Sequence, residues 1–212
     1  MNVLQRPARH HDRDPQPFVA ADGPPAPWQF NPRRGPPQNN TLGIMMEAIT
    51  RHSITRAADE AVQLWALASA QYPKKHDQIL EVVTTSIIEV ISAFALNARR
   101  ALEALPPSET FPLDQPRWQW KPHDGGEVVN NLWDALNRII HAQKLEVGIV
   151  PLPLQLSVID GGAFVVPYIR AATDRKKLAF IDPFALSYAF LYGAYPKLVV
   201  IMMNAKPAKG LH

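Results

Sequence analysis

Four polar residues recur on one side of a segment that has helical spacing. At about 100° per residue, Asn130, Asp134, Asn137 and His141 fall within about 60° of one another, with Arg138 at the edge of the group. The opposite side is apolar and carries Val128, Leu132, Ala135, Leu136 and Ile139. Two interpretations stay open: a solvated surface with an Asp134–Arg138 ion pair worth about 0.2–0.5 kcal/mol, or a site for chemistry.

The end of this segment also carries a short motif. The string LNRIIHA at residues 136–142 lies near the end of a predicted helix that follows two long helices. It resembles the C-terminal signature helix of the HEPN superfamily, whose small helical bundles include metal-independent ribonucleases of toxin–antitoxin and abortive-infection systems. The family pattern is Arg, a polar residue that is often Asn, a few residues and then His. Asn137 and His141 match its last two positions, and Leu136 stands where the pattern has Arg.

The resemblance implies a bundle that often dimerises, with the signature helices of two protomers facing each other across a cleft. It also implies RNA cleavage without a metal. Histidine is the side chain best suited to proton transfer near neutral pH, so His141 is the predicted acid or base, with Asn137 and Arg138 in support. Positive charge on the phosphate would come from Arg138 or Arg100. The predicted substrate-binding residues are Arg100, Asn130 and Asp134, and the expected role is RNA-directed, in defence or stress.

The departure at Leu136 favours a function of a different class. In this alternative the protein is a non-catalytic interaction module, in which the bundle forms a homodimer and a proline-rich N-terminal arm recruits a protein partner. A third alternative is a small-ligand binder with a pocket between the bundle and the segment that follows it. The sequence offers no residue that discriminates this third function from the others.

Composition excludes several other kinds of chemistry. The chain has no cysteine, which rules out disulfides, thiolate zinc sites, iron–sulfur clusters and a thiol nucleophile. It also has no HExxH, GxGxxG or GxSxG motif. We therefore predict no metal and no cofactor. The formal net charge of +3 is smaller than that of a strongly basic nucleic-acid binder.

Proline, which disrupts helix interiors and central strands, divides the chain. Nine of the 21 prolines lie in residues 1–40, which predicts a disordered arm. Residues 41–72 and 75–105 carry apolar residues at helical spacing and are separated by Pro73. They predict two long antiparallel helices, the first elements of a bundle over residues 41–145.

A proline-rich loop and a third helix complete the predicted bundle. The loop at residues 106–122 contains Trp118 and Trp120, which predicts that it packs against the helices. Asp124 is followed three residues later by Glu127, the spacing of a capping box. We therefore predict the third helix over residues 124–145.

Beyond residue 145 the apolar periodicity changes toward two. Residues 154–158 alternate, and residues 164–169 are β-branched or aromatic, so we predict a hairpin that turns at residues 160–162. The remaining predictions are a strand at 177–181, a short helix from an Asp182 N-cap and Pro183 to Tyr192, a strand at 198–203 and a frayed tail at 205–212.

The predicted fold class is α+β and α-rich: an antiparallel helical bundle followed by a small antiparallel β-element with a short helix at residues 146–204. The N-terminus lacks the apolar run of an export signal. The most apolar stretch, residues 178–203, is interrupted by charged residues, prolines and a glycine, whereas a membrane span needs about 20 mostly apolar residues. We therefore expect a soluble, cytoplasmic protein without a membrane partner.

Overall fold

The structure is a computed structural model that describes residues 40–74, 76–174 and 176–204, with side chains from residue 46 onward. The predicted arm, apart from residue 40, and the predicted tail at 205–212 lie outside the described residues.

The fold begins with two long helices, as predicted. Helix α1 spans Asn40–Ser69 and helix α2 spans Asp77–Leu102, and they pack together. Each buries one stripe at spacings of three and four, because 3.6 residues per turn place such positions on the same face. The stripes are Ile54, Ala57, Ala61, Leu64 and Ala68 on α1, and Val83, Ile87, Ile91, Phe94, Ala98 and Ala101 on α2.

A mixed five-stranded sheet packs on these helices. The strands are β1 (Tyr72–Pro73), β2 (Glu127–Val128), β3 (Lys144–Pro151), β4 (Ala163–Ala172) and β5 (Ala179–Ile181). Strand β4 is central: β3 pairs with it along one edge, and β1 and β5 pair with opposite ends of its other edge. These pairings are antiparallel, whereas β2 is parallel to β5. The α+β, α-rich fold class is confirmed, but the sheet is mixed because a segment predicted as helix adds β2.

The hairpin of β3 and β4 starts earlier than predicted. Residues 154–158 are wrong as a strand: Leu154–Leu156 is a 3₁₀ turn, and Leu154, Leu156 and Val158 are exposed. The apolar residues of this alternating segment do not face the core, so periodicity alone predicted the strand in the wrong place. The paired strand is Lys144–Pro151, and its Gly148 leaves room for the ring of Tyr168, which a Cβ at that position would overlap.

The last part of the chain is one long helix with a wide turn inside it. Helix α4 (Pro183–Tyr188) leads into a π turn at Ala189–Ala194 and then into helix α5 (Tyr195–Asn204). The predicted end of the short helix at Tyr192 and the predicted strand at 198–203 are therefore wrong. Gly193 serves close packing, since a Cβ there would lie 2.9 Å from the Phe111 ring. The π turn also accommodates Pro196, which cannot donate a helical hydrogen bond.

The predicted cap of this helix is confirmed. Asp182 Oδ1 accepts hydrogen bonds from the Phe184 and Ala185 amides, both at 2.9 Å, and Pro183 occupies the first helical position. Asp182 is 7% exposed, and its Oδ2 has no hydrogen-bond partner in the described part of the chain. Burial raises the pKa of Asp182 to about 6, against the lowering effect of the two amides and the nearby Trp120.

The larger of two hydrophobic clusters in the described residues unites both predicted segments, residues 41–145 and 146–204. It contains residues of all three leading helices, of β4 and β5, and of the last helix; Phe94 and Phe190, for example, pack edge to face at 5.3 Å. The proline-rich loop also packs inward, as predicted: the Trp118 indole donates to Ala68 O at 2.7 Å, and Trp120 packs on Tyr168.

Two helices of the fold have the length and apolar composition of a membrane span. They are Asp77–Leu102 and Pro183–Asn204. Both contribute side chains to the core, through Ile87 and Phe94 of the first and through Leu186 and Phe190 of the second. Core helices of a folded domain pass the same test of length and composition.

Candidate functional site

The helix that carries the predicted site residues is shorter than the sequence pattern indicates. Helix α3 spans Leu132–Ile140, and the prediction of 124–145 is wrong at both ends. Asp124 and Gly125 have positive φ angles of 55° and 66°, so the chain turns there and then enters β2. The helix begins at an Asn131 N-cap, whose side chain accepts a hydrogen bond from Trp133 N at 2.9 Å.

The end of α3 opens onto a polar cleft. The cleft has a volume of about 490 Å³ and lies where α3 ends, β3 begins and the β4–β5 connection returns. Three of its residues are the predicted catalytic set. The full lining is Asn137, Arg138, His141, Gln143, Thr173, Asp174 and Lys176.

The structure thus gathers some of the predicted residues and leaves others apart. Asn137, Arg138 and His141 share the cleft, and Asp134 reaches it through an ion pair with Lys176 at 3.2 Å. Arg100 is exposed on α2 and does not line the cleft. Asn130 precedes the helix, so its predicted place on the helical face is wrong.

Arg138 lines the cleft, but its side chain is mainly engaged in contacts that hold α3 in place. Its side chain is 8% exposed and is ion-paired with Glu127 and, at 3.5 Å from its Nε, with Asp134. It also donates to the carbonyl of Lys177 at 3.0 Å. With two carboxylates and a carbonyl already bound, this guanidinium joins α3 to β2 and to the start of β5, and is a positioning residue.

Another arginine, missed from the sequence, contacts the predicted site. Arg99 Nε donates to Asn137 Oδ1 at 3.1 Å, and its guanidinium lies 3.6 Å from the centre of the Trp133 ring. Its spacing along α2 could have revealed it. Arg99 follows Ala95 by four residues and precedes Leu102 by three, and since both of these residues are buried, Arg99 lies on the same face of the helix. Arg100 is one residue further around α2 and faces solvent.

His141 is held in place by its backbone and leaves its side chain accessible. It is the C-cap of α3, and its N–H donates to Asn137 O at 3.1 Å. The residue is exposed at the rim of the cleft. An imidazole in this position can accept a proton from a molecule bound in the cleft or donate a proton to it.

The cleft offers donors beside acceptors: the Asn137 amide and the Lys176 ammonium lie in one lining with the Asp174 carboxylate. Because Arg99 occupies Oδ1 of Asn137, the Asn137 amide nitrogen remains as a donor with no partner among the described residues. Lys176 gives one of its three protons to Asp134, and its backbone N–H donates to Thr173 Oγ1 at 3.0 Å. These donors can bind acceptor oxygens of a ligand.

No family model, curated protein or solved structure matches this chain. The comparisons therefore give no support to the HEPN resemblance expected from residues 136–142. Within the described residues, no group of three or more histidine, aspartate or glutamate side chains is placed to hold a metal ion.

Proposed function

We propose that this protein binds RNA in the polar cleft and cleaves it without a metal, with His141 as the acid or base. The observation that carries this proposal is the meeting of Asn137 and His141, one helical turn apart, with Lys176 in one cleft. The similarity of residues 136–142 to the HEPN signature is the reason for proposing RNA as the substrate.

Binding would use the donors of the cleft. Lys176 and the Asn137 amide nitrogen would hold phosphate oxygens, and Thr173 and Gln143 would contact the sugar. Lys176 takes the phosphate-binding role expected of Arg138 or Arg100. Its side chain is 54% exposed and has one carboxylate partner, whereas Arg138 is 8% exposed and paired with two carboxylates, and Arg100 lies away from the cleft.

The reaction requires two proton movements. The ribose 2′-oxygen loses its proton and attacks phosphorus, the bond to the 5′-oxygen breaks, and the leaving oxygen gains a proton. The products are a 2′,3′-cyclic phosphate and a 5′-hydroxyl end. His141 would perform one of the two transfers and water the other, while Lys176 stabilises charge on the phosphate oxygens.

The first test is cleavage by the wild-type protein. Incubated with mixed RNA in excess EDTA, it is expected to yield fragments with cyclic phosphate ends, which gel analysis and mass spectrometry would detect. Lys176→Ala should weaken RNA binding about 3–10-fold and reduce the salt dependence by about one phosphate contact. Lys121→Ala, which removes an exposed lysine outside the cleft, is the matched control. Wild-type protein that neither binds nor cuts RNA would remove this function.

A second candidate function is self-association, and a different surface favours it. Trp65 of α1 contacts Phe184, Tyr188 and Tyr192, and the last two rings stack at 4.6 Å. These four residues form an aromatic ladder, and Tyr192 at its end is 60% exposed. Exposed Val62 lies one turn before Trp65 on the same helix. Apolar surface of this kind is typical of an interface, and a second copy of the chain is the proposed occupant.

Sedimentation velocity tests this self-association. The wild type is expected to form dimers at micromolar concentration, and Tyr192→Lys should weaken the dimer at least 10-fold, since it places a charge in the proposed interface. Leu154→Lys, an equally exposed apolar residue outside the ladder, should leave the dimer unchanged. A wild type that stays monomeric up to 100-fold higher concentration contradicts the proposal.

A further inference from the structure

A second cavity lies at the opposite end of α3 from the polar cleft. It sits between the end of α2, the start of the proline-rich loop and the start of α3, and its volume is about 430 Å³. Cavities of this size accept small organic molecules. Its walls are mainly apolar and include Leu102, Leu105, Pro106, Pro107, Phe111 and Trp133.

The charged groups around this cavity are already paired. Glu103 accepts a hydrogen bond from Arg99 at 2.7 Å, and Glu109 is ion-paired with Lys197. The Lys197 ammonium also lies 5.5 Å from the centre of the Phe111 ring. An anion would meet the Glu103 and Glu109 carboxylates, and a cation would have to displace Arg99 or Lys197 from them, so the cavity favours a neutral ligand.

Three lining residues keep a side-chain hydrogen-bond donor with no partner among the described residues: Asn131 through its amide nitrogen, Thr110 through its hydroxyl and Trp133 through its indole N–H. The first amides of α3 are occupied, because Leu132 N donates to Phe111 O and Trp133 N donates to Asn131 Oδ1, both at 2.9 Å. The helix start therefore does not select an anion. The amide nitrogen of Asn131, which lines the cavity, has no partner among the described residues and can donate to a ligand.

Trp133 supplies a flat surface for stacking. Arg99 covers its ring at 3.6 Å and fixes it, yet the residue remains 39% exposed and lines the cavity. We infer that this cavity binds a neutral, flat aromatic molecule that carries a hydrogen-bond acceptor. The ring of the ligand stacks on Trp133, and its acceptor receives the Asn131 amide N–H. The residues that line this cavity differ from those that line the polar cleft, and the inference does not rest on the proposed function.

Coumarin and two charged analogues test the inference in the full-length protein. Coumarin is neutral and flat, and its lactone carbonyl is an acceptor; coumarin-3-carboxylate is an anion and 7-(aminomethyl)coumarin is a cation. Equilibrium dialysis with fluorescence detection is expected to show one saturable coumarin site, with both ions binding at least 10-fold more weakly. Absence of a saturable site, or equal binding of the neutral and ionic probes, overturns the assignment.

Two variants and a control place the probe in this cavity. Thr110→Trp fills the cavity from its exposed edge and should weaken coumarin binding at least 10-fold. Asn131→Asp keeps the N-cap acceptor but removes the donor, and should weaken binding about 3–10-fold. Leu156→Trp introduces the same side chain at an exposed residue outside the cavity and should change nothing. Thermal melts verify that all three remain folded, and unchanged binding in both cavity variants overturns the assignment.

Discussion

The His141→Ala variant is expected to cleave RNA about 10²–10⁴-fold more slowly than the wild type, the usual contribution of one acid–base group. The loss should lie in the chemical step. His141 caps α3 through its backbone N–H, which alanine retains, and its side chain is exposed. The fold should therefore keep its stability within about 0.5 kcal/mol. Single-turnover cleavage of a labelled RNA in EDTA, together with a thermal melt, measures both quantities.

Two further variants separate proton transfer from other effects of the substitution. His141→Gln retains hydrogen-bonding groups but cannot act as an acid or base near neutral pH, so its rate should resemble that of alanine. His76→Ala is the matched control, because His76 is also exposed and precedes a helix without a side-chain capping bond. If His141→Ala and the wild type cut RNA at the same rate, His141 has no role in proton transfer.

The elements that the sequence predicts well are those whose pattern extends over many turns. Helices α1 and α2 bury stripes of about half a dozen residues each, and Pro73 marks their separation. The Asp182 cap is equally local, since one side chain binds amides two and three residues later. Both kinds of signal are contained within one continuous segment of the sequence.

The elements that the sequence misplaces depend on partners far along the chain. Glu127 and Val128 become a strand only because β5, about 50 residues later, pairs with them. Gly193 resembles a helix stop but instead accommodates Phe111, more than 80 residues earlier. Neither contact leaves a periodic trace in the sequence.

The candidate site divides in the same way. Asn137 and His141 are four residues apart at the end of one helix, so their shared cleft follows from local geometry. The burial of Arg138 depends on Glu127 from a strand that the sequence pattern does not reveal. The contact of Arg99 with Asn137 depends on the packing of α2 against α3, which brings Arg99, and not the next residue Arg100, next to α3.

The free energy of unfolding is expected to depend on pH through Asp182. The pKa of this carboxyl is about 6 in the folded protein against an ordinary value of 3.8, because burial disfavours the charged form. The folded state therefore binds the proton more tightly than the unfolded state. Its stabilising contribution is complete below about pH 4 and is lost as the pH rises through about 6, a change on the order of 3 kcal/mol.

Asp182→Asn isolates this contribution, since asparagine keeps an acceptor for the Phe184 and Ala185 amides but does not ionise. Urea unfolding at pH 4, 5, 6 and 7 gives the difference in free energy between wild type and variant, from which the titration of other groups cancels. As the pH rises, the free energy of unfolding of the wild type should fall relative to that of the variant. Asp77→Asn, at an exposed carboxylate in the first turn of α2, measures the general effect of losing one acidic charge. A difference for Asp182→Asn that stays constant from pH 4 to 7 would mean that the buried carboxyl ionises as easily in the folded chain as in the unfolded one. Its cap would then compensate fully for its burial.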